Sequence, residues 1–348
     1  MSRRALTLMV AGFLTLMLAL IGAVLPVPYV VLSPGPTENT IGDVDGKPVI
    51  SIEGHQTYPT DGKLSLVTVA YQGGPGTRID LFSALRGWID PTIAVVPEET
   101  IFPPATTAKE VEEQNTQEMT NSQDDATAAA LTELRIPYNS IVTVGSTEKG
   151  MPADGKFKAG DEIVSVDGTP VADRETVSSS VRKHKPGEEV SFVVNRGTQS
   201  LTIAVPTVAG KDGAPIVGIT MRVGYKFPFE VKINVGDVGG PSAGMMFSLG
   251  IVDKLTPGPL TGGKSIAGTG TITAEGDVGP IGGIQQKMVG ARRAGATIFL
   301  TPADNCAEAV RAIPDGLRLV KVETLREAVQ AIDSIRTGSG SVQSCPTG

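Results

Sequence analysis

From Ala5 to Leu25 the chain reads ALTLMVAGFLTLMLALIGAVL without one charged residue, and this run constrains the fold more than any other feature. A helix needs about 20 consecutive apolar residues to cross the hydrocarbon of a bilayer. A helix that is apolar all round has no place on the surface of a water-soluble domain. Cleaved secretion signals carry a shorter apolar stretch, about 7–15 residues, and a small-residue cleavage site, whereas this run passes into LPVPYVVLSPGP. Residues 1–25 are therefore expected to be a cytoplasmic N-terminus and a transmembrane signal-anchor helix, with a cleaved signal as the alternative. Arg3 and Arg4 precede the run, and the next basic residue is Lys47. Because cytoplasmic flanks are the basic ones, the N-terminus is expected inside and everything after Pro26 outside, in a single-pass protein of the cell membrane.

A chain of 348 residues has room for about two domains. With 42 Gly, 25 Pro and 4% aromatic residues, it favours turns and short strands over a helical bundle. The net charge of −7 gives no electrostatic footprint for nucleic acid, and no cofactor or metal is expected. In residues 26–135, LSLVTVAYQ (Leu64 to Gln72) reads as a strand. The stretch TAKEVEEQNTQEMTNSQDDATAAALTEL (Thr107 to Leu134) has helix-forming composition rich in acids and amides, which suits a solvated helix. This region is expected to pack on the unit that follows it.

That unit begins with the strand-like runs IVTV and EIVSVDG around a turn-rich stretch, continues with a short helix RETVSSSVRKH, and closes with EEVSFVVNRG and QSLTIAVPTV. The string GMPADGKFKAGDEIVSVDGTPV resembles the PDZ domain pattern over residues 136–207. The resemblance implies a small β-rich domain that binds an extended peptide, often a C-terminal tail, by adding it to a sheet edge. Its groove is expected between the strand Ile141 to Val144 and the helix bearing Val177 and Val181. The glycine-rich carboxylate loop of that family is not evident near RIPYNS.

The chemistry is concentrated in residues 214–335. VGITMRV and FEVKINV read as strands leading into DVGGPSAGMMFSLGIVDKL. Met245, Met246, Phe247, Leu249, Ile251 and Val252 are apolar almost all round a helix, so this helix is expected to be buried. Ser242 lies in its first turn beside Gly240, where unpaired N–H groups and the positive dipole end suit an oxyanion. A helix-capping serine is the plain alternative. GPSAG also fits GxSxG, but in that motif a histidine follows the serine. The only histidines, His55 and His184, both precede it. A base other than histidine is then required, and a lysine desolvated in an apolar pocket can serve. In GPIGGIQQKMVGARRAGATIFLTP a helix is expected between Gly283 and Gly295. Ile284, Met288 and Ala291 form its inward stripe, Lys287 lies at the stripe's margin, and Gln286 and Arg293 point away. A lysine so placed either meets the core or snorkels to solvent.

GPLTGGKS (Gly258 to Ser265) matches the phosphate-loop pattern letter for letter. A phosphate loop follows a buried strand and opens a helix; here a helix precedes and β-prone SIAGTGTIT follows, so Lys264 is not expected to hold phosphate. Cys306 and Cys345 could pair outside the membrane or remain two thiols. The stretch 336–348 is expected to be a flexible tail.

GPSAG, AGTGTIT, VGPIGGIQQK and GATIFLTPADN occur in that order, and together they resemble the proteolytic domain of the Lon protease family. The resemblance implies a compact α+β domain with Ser242 as nucleophile, Lys287 as general base, and Thr269 and Gly240 as supporting residues. It also implies polypeptide substrates and assembly into a hexameric ring. Two positions depart from the family: an acid after the TG motif is Thr271 here, and an acid before GPSAG is Gly239, with Asp237 nearby. The combination with an anchor and a PDZ unit resembles the membrane-anchored PDZ–Lon proteases of bacteria. The expected function is an ATP-independent, membrane-anchored serine endopeptidase whose PDZ domain recognises peptides or regulates cleavage. The alternative is a catalytically silent PDZ scaffold or peptide-binding protein at the membrane.

Overall fold

The computed structural model describes residues 3–44, 46–236 and 238–346. In chain order the principal elements are α1 (Arg3–Val24), β1 (Pro26–Val27), β2 (Tyr29–Asn39), β3 (Lys63–Gln72), β4 (Ile79–Asp80), α2 (Leu81–Ile89), β5 (Ala94–Pro97), α3 (Ala108–Glu133), β6 (Asn139–Thr147), β7 (Glu162–Val166), α4 (Arg174–Arg182), β8 (Glu189–Arg196), β9 (Gln199–Pro206), β10 (Ile219–Lys226), α5 (Gly244–Leu255), β11 (Ser265–Gly268), α6 (Ile284–Arg293), β12 (Ile298–Pro302), β13 (Arg318–Val322) and α7 (Leu325–Thr337). They form two compact units, Met1–Ile136 with Phe229–Gly348, and Pro137–Pro228. The fold is mixed α and β.

In the first unit a six-stranded sheet runs in the order β13-β12-β11-β3-β2-β5. Strands β3, β11, β12 and β13 are parallel neighbours, while β2 pairs antiparallel with both β3 and β5. Residues 26–135 thus contribute β2, β3 and β5 to the sheet that β11, β12 and β13 complete. The β-branched run of β3 aligns with β11 from Lys63↔Ser265 to Leu66↔Gly268, and Leu64 and Leu66 are fully buried. A strand apolar on both faces gains most inside a covered parallel sheet.

Helix α3 starts at a capping box formed by Thr107 and Glu110. Its first half is solvated as its composition suggests, but Ala126 and Ala128–Leu131 are buried. Small residues let it approach α5 closely, and Ser248 Oγ of α5 donates to the Ala126 carbonyl at 3.1 Å. Helix α5 is buried around its whole circumference, as expected.

The second unit is a sheet in the order β9-β8-β7-β6-β10, whose core includes Val142, Val144, Ile163, Val177, Val181 and Phe192. Two expectations change here. VGITMRV, assigned to a C-terminal domain starting at 214, forms β10 and pairs with β6 from Ile219↔Thr147 to Lys226↔Asn139. The compact unit therefore runs on to Pro228, past the end of the PDZ-like stretch at 207. Strand β6, expected to line the peptide groove, is consequently interior, and β10 is the edge strand. Gly218, with φ +81°, leads into that edge.

The segment after Arg336 also differs from a free tail. Cys345 is bonded to Cys306 and buried, and the Gln343 carbonyl accepts from Lys321 N of β13 at 3.0 Å. Helix α1 is long and apolar enough to cross a membrane, with a mean hydropathy of 2.3 over its most apolar window, 6% of which is buried. A signal sequence has the same properties.

Candidate active site

Ser242 sits in the loop before α5, and two neighbours hold that loop in shape. From one side α3 supplies the Asn115 carbonyl, which accepts from Gly240 N at 3.1 Å, and Ser122 Oγ, which donates to the Pro241 carbonyl at 3.1 Å. From the other side Gly270 N donates to the Ser242 carbonyl at 2.9 Å, and the Gly270 carbonyl accepts from Met245 N at 3.1 Å. Gly240 has φ +83° with open space where a Cβ would be, so its backbone conformation is what selects glycine. At Gly239 the reason is space, because a Cβ would come within 2.9 Å of the Asn115 side chain. That contact leaves no room for the acid expected there by resemblance. Asp237 lies outside the described residues.

Lys287 comes from the first turn of α6, which follows Gly283 at φ +67°. Its Nζ is 2.7 Å from Ser242 Oγ and 2.9 Å from Thr269 Oγ1. The side chain is 3% exposed, and burial pushes its pKa down to about 7. Desolvation penalises the ammonium and leaves the amine lone pair available near neutral pH. Thr269 Oγ1 donates its own hydrogen to the Ser242 carbonyl at 2.9 Å, so towards Lys287 Nζ its oxygen acts as the hydrogen-bond acceptor. With one N–H directed at Thr269, the lone pair of a neutral Lys287 can accept from the Ser242 hydroxyl. Ser242, Lys287 and Gly240 line a cavity of about 1000 Å³, bounded also by Val67, Val69 and Tyr71 of β3 and by α3. Thr269, 1% exposed, stands behind them.

The remaining sequence candidates lie elsewhere. His184 Nε2 is 2.7 Å from Asp167, and the His55 ring rests on Phe229. Gln286, expected to face solvent, is 5% exposed. The phosphate-loop match connects α5 to a strand, and the Lys264 carbonyl accepts from Lys63 N at 2.9 Å. A Cβ at Gly262 would come 2.6 Å from the Arg336 side chain, so this loop packs on α7 and opens no helix. The support from Asn115 and Ser122 had no signal in the sequence, because both lie on a helix whose local composition reads as solvated.

Residues 228–335 match the Lon protease (S16) C-terminal proteolytic domain, and residues 116–207 match the PDZ domain. The chain is 36% identical over 157 residues to Lon protease 2 of Herpetosiphon aurantiacus, covering 40% of this chain and 19% of that one. It is 42% identical over 93 residues to Lon protease 1 of Sorangium cellulosum, covering 26% of this chain and 11% of that one. It therefore spans a fifth or less of these relatives. The PDZ domain of an SdrC-like protein from Listeria innocua aligns with 27% identity and a TM-score of 0.22, covering 23% of this chain and 92% of that structure. The protein thus carries a PDZ domain and a proteolytic domain of the Lon serine protease type.

Proposed function

We propose that this protein is a membrane-anchored serine endopeptidase that cleaves polypeptides without ATP, with Ser242 as nucleophile and Lys287 as its general base. The observation that carries this reading is the 2.7 Å separation of Lys287 Nζ and Ser242 Oγ at a lysine whose pKa burial lowers to about 7. Neutral Lys287 takes the hydroxyl proton as Ser242 Oγ attacks a peptide carbonyl carbon. The oxyanion forms beside the N-terminal turn of α5, where backbone N–H groups and the helix dipole favour negative charge. The resulting ammonium gives its proton to the departing amine, leaving an acyl-serine. Lys287, neutral again, deprotonates the water that hydrolyses this ester.

The groove suits an extended chain. Strand β11 pairs with β3 only as far as Leu66, whereas β3 continues to Gln72 along the cavity wall. In the PDZ unit the edge strand β10, whose Ile219 and Met221 pack against the core that holds Val177 and Val181 of α4, offers a second place where a peptide could add. Helix α1 would anchor both units to the cell membrane.

The test is cleavage of an unstructured polypeptide by the full-length protein in vesicles, beside its Ser242→Ala variant, with and without ATP and magnesium. Cleavage by the unaltered protein alone, indifferent to nucleotide, is expected. Equal cleavage by both, none by either, or a strict requirement for ATP would remove this reading.

A further inference from the structure

The outward face of α2 is an apolar surface that the proposed chemistry does not use. Phe82, Leu85, Trp88 and Ile89 are 47, 39, 55 and 83% exposed, whereas a helix at a water-facing surface normally turns polar residues outward. Their spacing puts them on one side of the helix. The opposite side already makes the core contact, through the buried Ala84 and Gly87. A Cβ at Gly87 would lie 2.5 Å from Val95 of β5. Phe82 touches α1 at Gly22 and the Trp88 ring meets Tyr29 edge-on at 5.8 Å, but the larger part of this outer face stays exposed.

Its position says what covers it. Strand β1, immediately after α1, pairs with β4, immediately before α2, through Pro26↔Asp80 and Val27↔Ile79. Paired strands lie about 4.8 Å apart, so the end of α1 and the start of α2 are held at the same level. Asp80 fixes that start by accepting from Ser83 N at 2.9 Å. A Cβ at Gly22 of α1 would meet the Phe82 ring at 3.2 Å. The exposed apolar surface of α1 and that of α2 are thus continuous, and lipid is the medium that accommodates the first.

We propose that α2 is an interfacial helix lying in the outer leaflet of the bilayer that α1 crosses, with Phe82, Leu85, Trp88 and Ile89 among the upper acyl chains. This rests on the reading of α1 as a membrane anchor. Aromatic side chains, Trp above all, favour that depth, and Arg86, on the rim of the same face, can reach the headgroup phosphates. The contact would hold the catalytic unit close to the membrane at two points instead of one.

The chain contains a single tryptophan, so its fluorescence reports this face directly. Full-length protein is reconstituted into phosphatidylcholine–phosphatidylglycerol vesicles, with or without lipids brominated near the headgroup end of their acyl chains. Trp88 emission is expected to shift to the blue, to lose most of its intensity to the brominated lipid, and to resist aqueous acrylamide. A Leu85→Asp, Ile89→Asp double variant should restore most of the emission while the protein stays in the vesicles. A membrane-resident protein whose Trp88 ignores brominated lipid and is quenched by acrylamide overturns the proposal and leaves the anchor standing. Shielding from both quenchers overturns it in favour of a protein contact. Unchanged quenching in the double variant means α1 alone sets the depth of Trp88, and overturns it as well. Protein that washes out of the vesicles removes the anchor and the proposal together.

Discussion

Ser242 Oγ and Lys287 Nζ, 45 positions apart in the chain, stand 2.7 Å from each other because two glycine-led turns start α5 and α6 on the same cavity. The lysine side chain reaches Ser242 from the first turn of α6 through a buried path, and burial lowers its pKa to about 7. Desolvation of this kind favours the neutral amine.

Lys287→Ala should lower kcat for peptide hydrolysis by about 10²- to 10⁴-fold, the usual worth of a general base. Lys287→Arg should be no better, because a guanidinium keeps its proton throughout the working range. In the unaltered protein kcat/KM should climb with pH through a midpoint near 7, where the buried amine loses its proton. A pH profile that falls across this region, or an active Lys287→Ala protein, would contradict the assignment of the base. Lys264→Ala, in the loop packed on α7, should leave the rate unchanged.

Thr269→Val keeps the shape of the side chain but removes both the acceptor for Lys287 and the donor to the Ser242 carbonyl. Gly270 N still holds that carbonyl at 2.9 Å, so the loop should persist and kcat should fall about 10- to 100-fold. Thr269→Ser should recover most of the loss. The check is kcat against KM in the three proteins: a change confined to KM would assign Thr269 to binding rather than to orientation of the lysine.

What the sequence made legible were local patterns. The all-round apolar helix after GPSAG and the glycine-bounded helix bearing Lys287 could be placed because each is specified by neighbours within a few turns. The pairing of β3 with β11 was not legible, since strand pairing between segments some 200 positions apart leaves no local trace. Gly239 shows the same limit: the fit of its backbone against Asn115 of α3 is a tertiary fact. Gln286 is buried on the side its periodicity turns outward, because periodicity gives an angle around the axis and says nothing of what covers that side. The edge of the PDZ unit has no local signature, because β10 is separated in sequence from the recognisable string and only its ladder with β6 shows where it belongs.

The Cys306–Cys345 bond closes a loop of sequence separation 39 and holds the tail beside β13, where Gln343 pairs with Lys321. Replacing Cys345 by Ser, or reducing the protein, should cost about 2–4 kcal/mol of stability. Asn305, next to Cys306, accepts from Ile281 N and donates to its carbonyl, both at 2.9 Å, just before the helix that carries Lys287. Thermal unfolding and hydrolysis with and without reductant test the link. A Tm indifferent to reductant would show that the tail bears no load.

The PDZ unit, Pro137–Pro228, supplies no side chain to the cavity around Ser242 among its described lining residues. Replacing residues 137–228 with a short Gly/Ser linker should therefore preserve hydrolysis of a small unstructured peptide. Which longer polypeptides are cut, or how fast, should change. Loss of small-peptide hydrolysis in a variant shown to be folded would refute this division of labour.

Burial of Lys287 also has a consequence for stability, and its sign follows from linkage. In the unfolded chain the amine keeps its proton up to about 10.5, while in the folded protein burial lowers that point to about 7. Between these values the unfolded chain binds more protons, so this residue makes the fold more stable as pH rises from 7 toward 10.5. Below 7 the full cost of the buried ammonium is present. Lys287→Met, similar in length and uncharged, should then be more stable than the unaltered protein by on the order of 1–3 kcal/mol at pH 7, while losing hydrolysis. The excess in Tm should shrink steadily as pH is raised toward 10. A Tm difference that stays constant with pH would mean that Lys287 is solvated in the folded protein, and would remove the basis for its role as a neutral base.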